Sequence, residues 1–298
     1  AKKSVLVRRK KVVDNVNLED IVELVKILSV ERANDYRTWI ETGLCLHNVD
    51  PSLLEAWVDF SRKSEPKFKE GECEQLWAKF EFKDHGIGIG SLHHWAQTDN
   101  PEEYQVIINN SLRGDMIKSI SQTSQDISMV VYHMFQYKYK FTNSKANTWW
   151  EYINHKWVKI DDGISLKKKL GFEVVNAYLR VVNYYNESSY TLTEDLRADS
   201  LDKSKFLQDV TYKLRDIGWK DKIMKELKLM FYDSTFESKL DTNVYLLGFE
   251  NGVYDLHKGE FRDGCPEDYI SMSTGNDFIY FDDNDDRIKE IFDFMSQL

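Results

Sequence analysis

The chain has 298 residues, a formal net charge of −10, 42% hydrophobic residues and 13% aromatic ones. That aromatic content excludes a wholly disordered chain, and the acidic balance disfavours a uniformly basic nucleic-acid coat while leaving local basic surfaces open. Three cysteines stand far apart at Cys45, Cys73 and Cys265 with no CxxC pair, which points away from a disulfide framework and toward a reducing, intracellular setting.

Residues 1–13 carry six basic side chains, Lys2, Lys3, Arg8, Arg9, Lys10 and Lys11, read as a solvated linker with a phosphate-contacting arm or a localisation signal as the alternative. A first helix is expected from Asn17, a capping residue followed by Glu19 and Asp20, with Ile21, Leu24, Val25 and Leu28 as its stripe. A second is predicted over 34–46 with Trp39 and Gly43 on its inner face. A third follows the Asp50-Pro51 start signal and buries Trp57 and Phe60, and a fourth carries Cys73 and Trp77. The expectation is a compact helical domain over 17–97 built around Trp39, Trp57 and Trp77, with 1–16 as a basic linker.

Asn100-Pro101 opens the next helical stretch, and 98–125 reads as a helical linker ending in the polar break Ser121–Gln125. From 136 to 160 alternation and aromatic enrichment predict strands, with Asn154-His155-Lys156 as a hairpin turn. Helices are expected again over 164–187 and 202–232. Strands follow from Val244, with a hairpin at Glu250-Asn251-Gly252 and a second turn at His257-Lys258-Gly259-Glu260. The predicted class is α+β: a small N-terminal helical bundle, then a mixed domain of helices and β-hairpins over 126–298. The chain opens on Ala, and Ile288, Ile291, Phe292, Met295 and Leu298 keep helical spacing to its last residue, so the parent protein is expected to continue past Leu298. No apolar run approaches the roughly 18–20 residues of a membrane span.

Known chemical motifs are missing. There is no Gly-Lys-Ser or Gly-Lys-Thr, hence no phosphate-cradling P-loop. His85-Gly86-Ile87-Gly88-Ile89-Gly90 looks like a nucleotide loop but is not GxGxxG, and reads as a tight turn before a helix. Cys73, His85, His93 and His94 lie within 22 positions, but no CxxC is present and Cys73 sits on an apolar helical face, so a buried thiol with surface histidines is the reading and zinc the alternative. Asp282–Asp286 is a solvated acidic turn or, alternatively, a Mg²⁺ site. Lys138, Lys140, Lys145, Lys156, Lys159 and Lys167-Lys168-Lys169 interleave with Tyr139, Trp149 and Trp157. Two readings stay open: aromatics that stack on bases beside lysines that neutralise phosphates, or core aromatics on a sheet whose wet side carries the lysines.

The stretch Asp35-Tyr36-Arg37-Thr38-Trp39-Ile40, with Gly43, Leu46, Trp57-Val58-Asp59-Phe60-Ser61, Cys73, Trp77 and Gly90-Ser91-Leu92, resembles the primase C-terminal type-2 domain. A second set runs from Trp149-Trp150-Glu151 and Trp157 to Leu240-Asp241 and Leu247-Gly248-Phe249-Glu250-Asn251-Gly252-Val253-Tyr254-Asp255-Leu256. It ends with Phe261-Arg262 and Pro266-Glu267-Asp268-Tyr269-Ile270-Ser271. This set resembles the region upstream of the superfamily 3 helicase motor in primase–helicases of poxviruses and other nucleocytoplasmic large DNA viruses. The resemblance implies a non-catalytic collar segment, with no cofactor of its own and with ATP and Mg²⁺ at a downstream motor. It further implies a homo-oligomer, hexameric in the parent, with DNA and other replication proteins as partners and no membrane. The setting would be soluble, in the host cytoplasm or a viral replication factory. Asn251, Gly252, Asp255 and Arg262 match the pattern and are expected to be structural, Asn-Gly permitting positive φ and Asp255 pairing with Arg262 across the hairpin. The rival is a free-standing metal-dependent nuclease or phosphotransferase using Asp282–Asp286; a third reading is a pure protein–protein adaptor.

Overall fold

Short-range caps set the helical frame. The structure, a computed structural model, describes residues 17–82, 87–280 and 286–297. The basic run Lys2–Lys11, His85, Gly86 and Asp282–Asp285 therefore lie outside the described residues. Asn17 accepts the Glu19 N–H and starts α1 (Leu18–Ile27). Ser29 and Asp35 cap α2 (Val30–Asn34) and α3 (Tyr36–Val49) in the same way. Asp50 with Pro51 starts a single 3₁₀ turn that runs into α4 (Leu54–Arg62). Two more helices, α5 (Glu72–Trp77) and α6 (Ile89–Asp99), complete the bundle.

The bundle closes on three stacked indoles. Trp39 and Trp57 ring centroids lie 5.0 Å apart and Trp57 and Trp77 lie 5.7 Å apart. Two of their N–H groups donate inside the bundle, Trp39 Nε1 to Ser61 Oγ at 2.6 Å and Trp57 Nε1 to the Trp39 carbonyl at 3.1 Å. Gly43 is where α3 meets that stack, since a Cβ there would sit 2.5 Å from the Trp57 ring. Gly43→Ala is expected to cost about 1–3 kcal/mol by overpacking, despite alanine's better helix propensity; a thermal melt of the variant no lower than wild type would contradict this packing.

Asn100 caps α7 (Pro101–Lys118), whose two ends serve different cores. Tyr104 and Ile107 pack on the bundle, whereas Leu112 and Met116 enter the second core. Around that second core lie α8 (Ser124–Phe135) and α9 (Ile164–Lys169), which continues through a π turn (Leu170–Val174) into α10 (Val175–Ser189). Helices α11 (Glu194–Arg215), packed along α10, and α12 (Ile217–Met230), packed on α8, complete it. The chain breaks between these two because Asp216 turns extended and accepts the Trp219 N–H.

Two antiparallel meanders follow. The first has β1 (Tyr139–Asn143), β2 (Thr148–Ile153) and β3 (Lys156–Asp161), β2 and β3 joined by Asn154-His155, both at positive φ, the conformation a two-residue hairpin turn requires. Tyr139, Phe141 and Trp149 face the helical core, and on the other side Tyr152 and Trp157 pack on Phe236. Aromatics thus cover both faces of this sheet, which has no wholly wet side. The second meander has β4 (Leu246–Phe249), β5 (Gly252–Asp255) and β6 (Glu260–Arg262). Val244 and Tyr245 stay outside it because Asn243 accepts the Tyr245 N–H and bends the chain. The last helix, α13 (Asp286–Met295), leaves Ile291, Phe292 and Met295 exposed.

Candidate functional site

The lysines singled out in the sequence separate into two groups. Of the first meander's five, Lys138, Lys140 and Lys156 are engaged at the sheet and Lys145 is exposed. Register places Lys140 and Lys159 on either side of Trp150 in one cross-strand row. Burial pushes the Lys140 ammonium down from its ordinary range, with Asp233 opposing. Lys138 lies 3.8 Å from the buried Glu151, and Lys156 pairs with Glu250 at 2.5 Å. Lys159 is exposed. On α9, Lys169 folds back onto Glu173 at 2.5 Å, while Lys167 pairs with Asp221 of α12 and Lys168 is exposed.

That pairing brings α9 against a basic corner the sequence reading did not single out. Trp219, in the first turn of α12, has Lys213 Nζ 4.3 Å and Lys222 Nζ 4.7 Å from its ring centroid. Gly171 leaves room for the Lys220 ammonium, which would lie 2.9 Å from a Cβ at that position. The available signal was a lone tryptophan inside a charge run, Lys213-Leu214-Arg215 to Lys220-Asp221-Lys222.

A second concentration of polar groups is the joint between the bundle and the meanders. Glu267, on a 3₁₀ turn (Pro266–Asp268), reaches the N-terminus of α6. Its carboxylate accepts the Ser91 N–H at 3.3 Å and the Ser91 hydroxyl at 2.5 Å, capping a helix 176 residues away. Gly88 and Gly90 make the space, a Cβ at Gly90 lying 2.8 Å from the carboxylate. The glycine-rich loop therefore does hold an acidic group, and that group is a side chain of the same protein. Burial raises the Glu267 carboxyl above its usual range, against the pull of Ser91.

Around this cap, Arg37 donates to the Phe261 carbonyl at 2.8 Å and Trp157 Nε1 to that of Pro266 at 2.8 Å. Arg262 forms a buried two-pronged pair with Asp268 at 2.8 and 2.7 Å. His93 and His94, expected at the surface, are half-buried. His93 stacks on Tyr137 at 4.6 Å and lies 3.1 Å from the Tyr104 hydroxyl, and His94 meets the edge of Tyr152. Burial pushes the His93 imidazole down to about 4 and lowers that of His94. Cys73 bonds to Ser61, away from both histidines, and among the described residues no group of three His, Cys, Asp or Glu is placed to hold a metal. Nor is any described helix long and apolar enough to cross a membrane.

The residues from α8 through these meanders and into α13 match a family model described as D5 N terminal like, over 128–297. The chain belongs to the D5 N terminal like family. A second model, Primase C terminal 2 (PriCT-2), matches 21–96, the residues that enclose the Trp39 core. Among relatives, a protein of Acanthamoeba polyphaga mimivirus named a helicase is 34% identical over 97% of this chain and 30% of its own length. One of Frog virus 3, also named a helicase, is 25% identical over 89% of this chain and 30% of its own. One of African swine fever virus, named a primase, is 24% identical over 78% of this chain and 27% of its own. The chain thus spans about a third or less of the length of these relatives.

Within the D5 N terminal like region the hairpin residues follow expectation only in part: Gly252 takes positive φ. Phe249 pairs with Gly252, so the turn residues are Glu250 and Asn251, and Asn251 does not take positive φ. Its amide instead grips the backbone of Phe278, donating at 3.0 Å and accepting at 2.8 Å. Gly252 is needed for close approach, since a Cβ would lie 2.6 Å from both the Arg262 carbonyl and the Phe261 ring. Asp255 does not pair with Arg262. Register sets Asp255 opposite Glu260 and Arg262 opposite Val253, and the Asp255 carboxylate caps the following turn, accepting the His257 and Lys258 N–H groups at 3.0 and 3.1 Å.

Proposed function

We propose that this chain is a scaffold and collar segment of a viral DNA-replication primase–helicase, one that supports assembly of a hexamer and guides DNA toward an ATP- and Mg²⁺-dependent motor elsewhere in the parent protein. The observation that carries this reading is the joint. A PriCT-2 domain and a D5 N terminal like domain are tied by Glu267 capping α6 and by Arg37 on the β6 backbone, contacts that fix their relative orientation. Fixed orientation is what a protein needs if activities on either side are to act on one strand. The names of the viral relatives, helicase and primase, agree with such a parent. The described residues would contribute contact area and DNA contacts, acting in the cytoplasm or a replication factory beside other replication proteins.

A ring built from head-to-tail contacts closes only when each interface keeps its angle, so a collar adds area to contacts that the motor also makes. In sedimentation velocity, the parent protein lacking residues 126–298 is expected to leave the hexamer at a concentration at least about tenfold higher than the intact protein, equivalent to about 1.4 kcal/mol. Equal hexamer stability with and without the segment would remove the assembly role.

A further inference from the structure

We propose, building on the DNA contact suggested above, that the corner where α9, the end of α11 and the first turn of α12 meet is a binding surface for single-stranded DNA. Six cations lie on the segments that form it, Lys167, Lys168, Lys213, Arg215, Lys220 and Lys222, with Lys167 paired to Asp221 and the contacts of Lys213, Lys220 and Lys222 turning them to Trp219 and Gly171. Two nearby carboxylates are already committed, Asp216 to capping α12 and Asp221 to Lys167. In a chain of net charge −10, such a local excess attracts a polyanion that the rest of the surface repels.

The corner is also apolar where a plain solvated face would not be. Phe172 and Ile217 are each 71% exposed, and Phe172 directly follows Gly171, the residue against which Lys220 lies. Trp219 holds Lys213 and Lys222 over its ring, and Lys213 is further fixed by the Gln122 side chain at 2.8 Å. Lys213 and Lys222 are thereby held at Trp219, while Lys220, lying against Gly171, adjoins the exposed Phe172 ring; cations beside an exposed ring are the arrangement that pairs phosphates with unstacked bases. A duplex has its base faces covered and satisfies only the charges. An acidic peptide likewise has no rings to place on Phe172.

The test is fluorescence anisotropy on the full 298-residue chain, with labelled oligothymidylate, a hairpin duplex of equal charge and polyglutamate as probes. The single strand is expected to bind at least about tenfold more tightly than either other probe, with affinity falling as salt rises. Lys213→Gln/Lys220→Gln/Lys222→Gln is expected to weaken it at least about tenfold and to reduce the salt slope by about 2, at roughly 0.7 per phosphate contact. Lys220→Gln/Lys222→Gln leaves Lys213 on Gln122 and keeps the test decisive should the triple variant not fold; its slope falls by about 1.4. Phe172→Ala weakens binding about fivefold or more and leaves the slope unchanged. Lysine variants that bind like wild type would overturn this surface while leaving DNA contact elsewhere on the segment standing. Duplex or polyglutamate binding as tight as the single strand would overturn the assignment of partner. No binding of any probe by wild type would overturn the DNA contact itself.

Discussion

Replacing Asp268 with alanine is expected to lower the unfolding free energy by about 3–5 kcal/mol, the cost of leaving one member of a buried pair without its partner. Both side chains are close to fully enclosed, Arg262 at 11% and Asp268 at 8% exposure. Arg262 cannot shed its proton to escape, and the pairing raises its pKa further, against the cost of burial. Asp268 also accepts the Cys265 N–H at 2.8 Å, so the substitution orphans a backbone donor as well. The adjacent residue is Glu267, and loosening the turn is expected to release its cap on α6. Asp255→Ala provides the contrast. It removes only turn bonds to His257 and Lys258 and is expected to cost about 1 kcal/mol. Urea unfolding of the two variants measures the difference. Equal effects, or a loss under about 1 kcal/mol for Asp268→Ala, would refute the assignment of Arg262's partner.

Acidification from pH 7 to pH 4 is expected to remove about 3 kcal/mol of stability through His93 alone. The imidazole is pushed down to about 4 by burial, against an ordinary value near 6.5. Above 6.5 the ring is neutral folded and unfolded, and its full contribution is present. Between 6.5 and 4 the unfolded chain takes up a proton that the folded chain refuses, so stability falls with pH and is lost through the folded value. His94, lowered by burial and by His155, acts in the same direction. Glu267 has the opposite sign. Its carboxyl is raised, so its contribution is fully present below the ordinary carboxylate range and is lost as pH rises through its folded value. Because other carboxylates also titrate near pH 4, the measurement is a difference: urea unfolding of wild type and His93→Gln at both pH values. The variant should lose about 3 kcal/mol less than wild type. Parallel losses would show that His93 is not held neutral between Tyr104 and Tyr137.

Much of this architecture was legible in the residues because the interactions that specify it are short. Asn17, Asp50-Pro51 and Asn100-Pro101 begin helices through bonds to N–H groups two or three residues on. The break between β2 and β3 is a turn closed by two adjacent residues, and the indoles of the bundle follow a helical stripe. The placement of functional groups was not legible. Whether Arg262 meets Asp255 or Asp268 depends on cross-strand register, and a shift of one residue reverses every side chain. Which lysines stay free depends on what covers the second face of the first meander, and Phe236 arrives there from beyond α12. Ser91 and Glu267 are 176 residues apart, and nothing near either predicts the other. A single sequence determines its local hydrogen bonds and its apolar stripes by itself. The pairing of distant charges is decided only when the packed cores choose an orientation, because burial then makes each unpaired group too costly to leave alone.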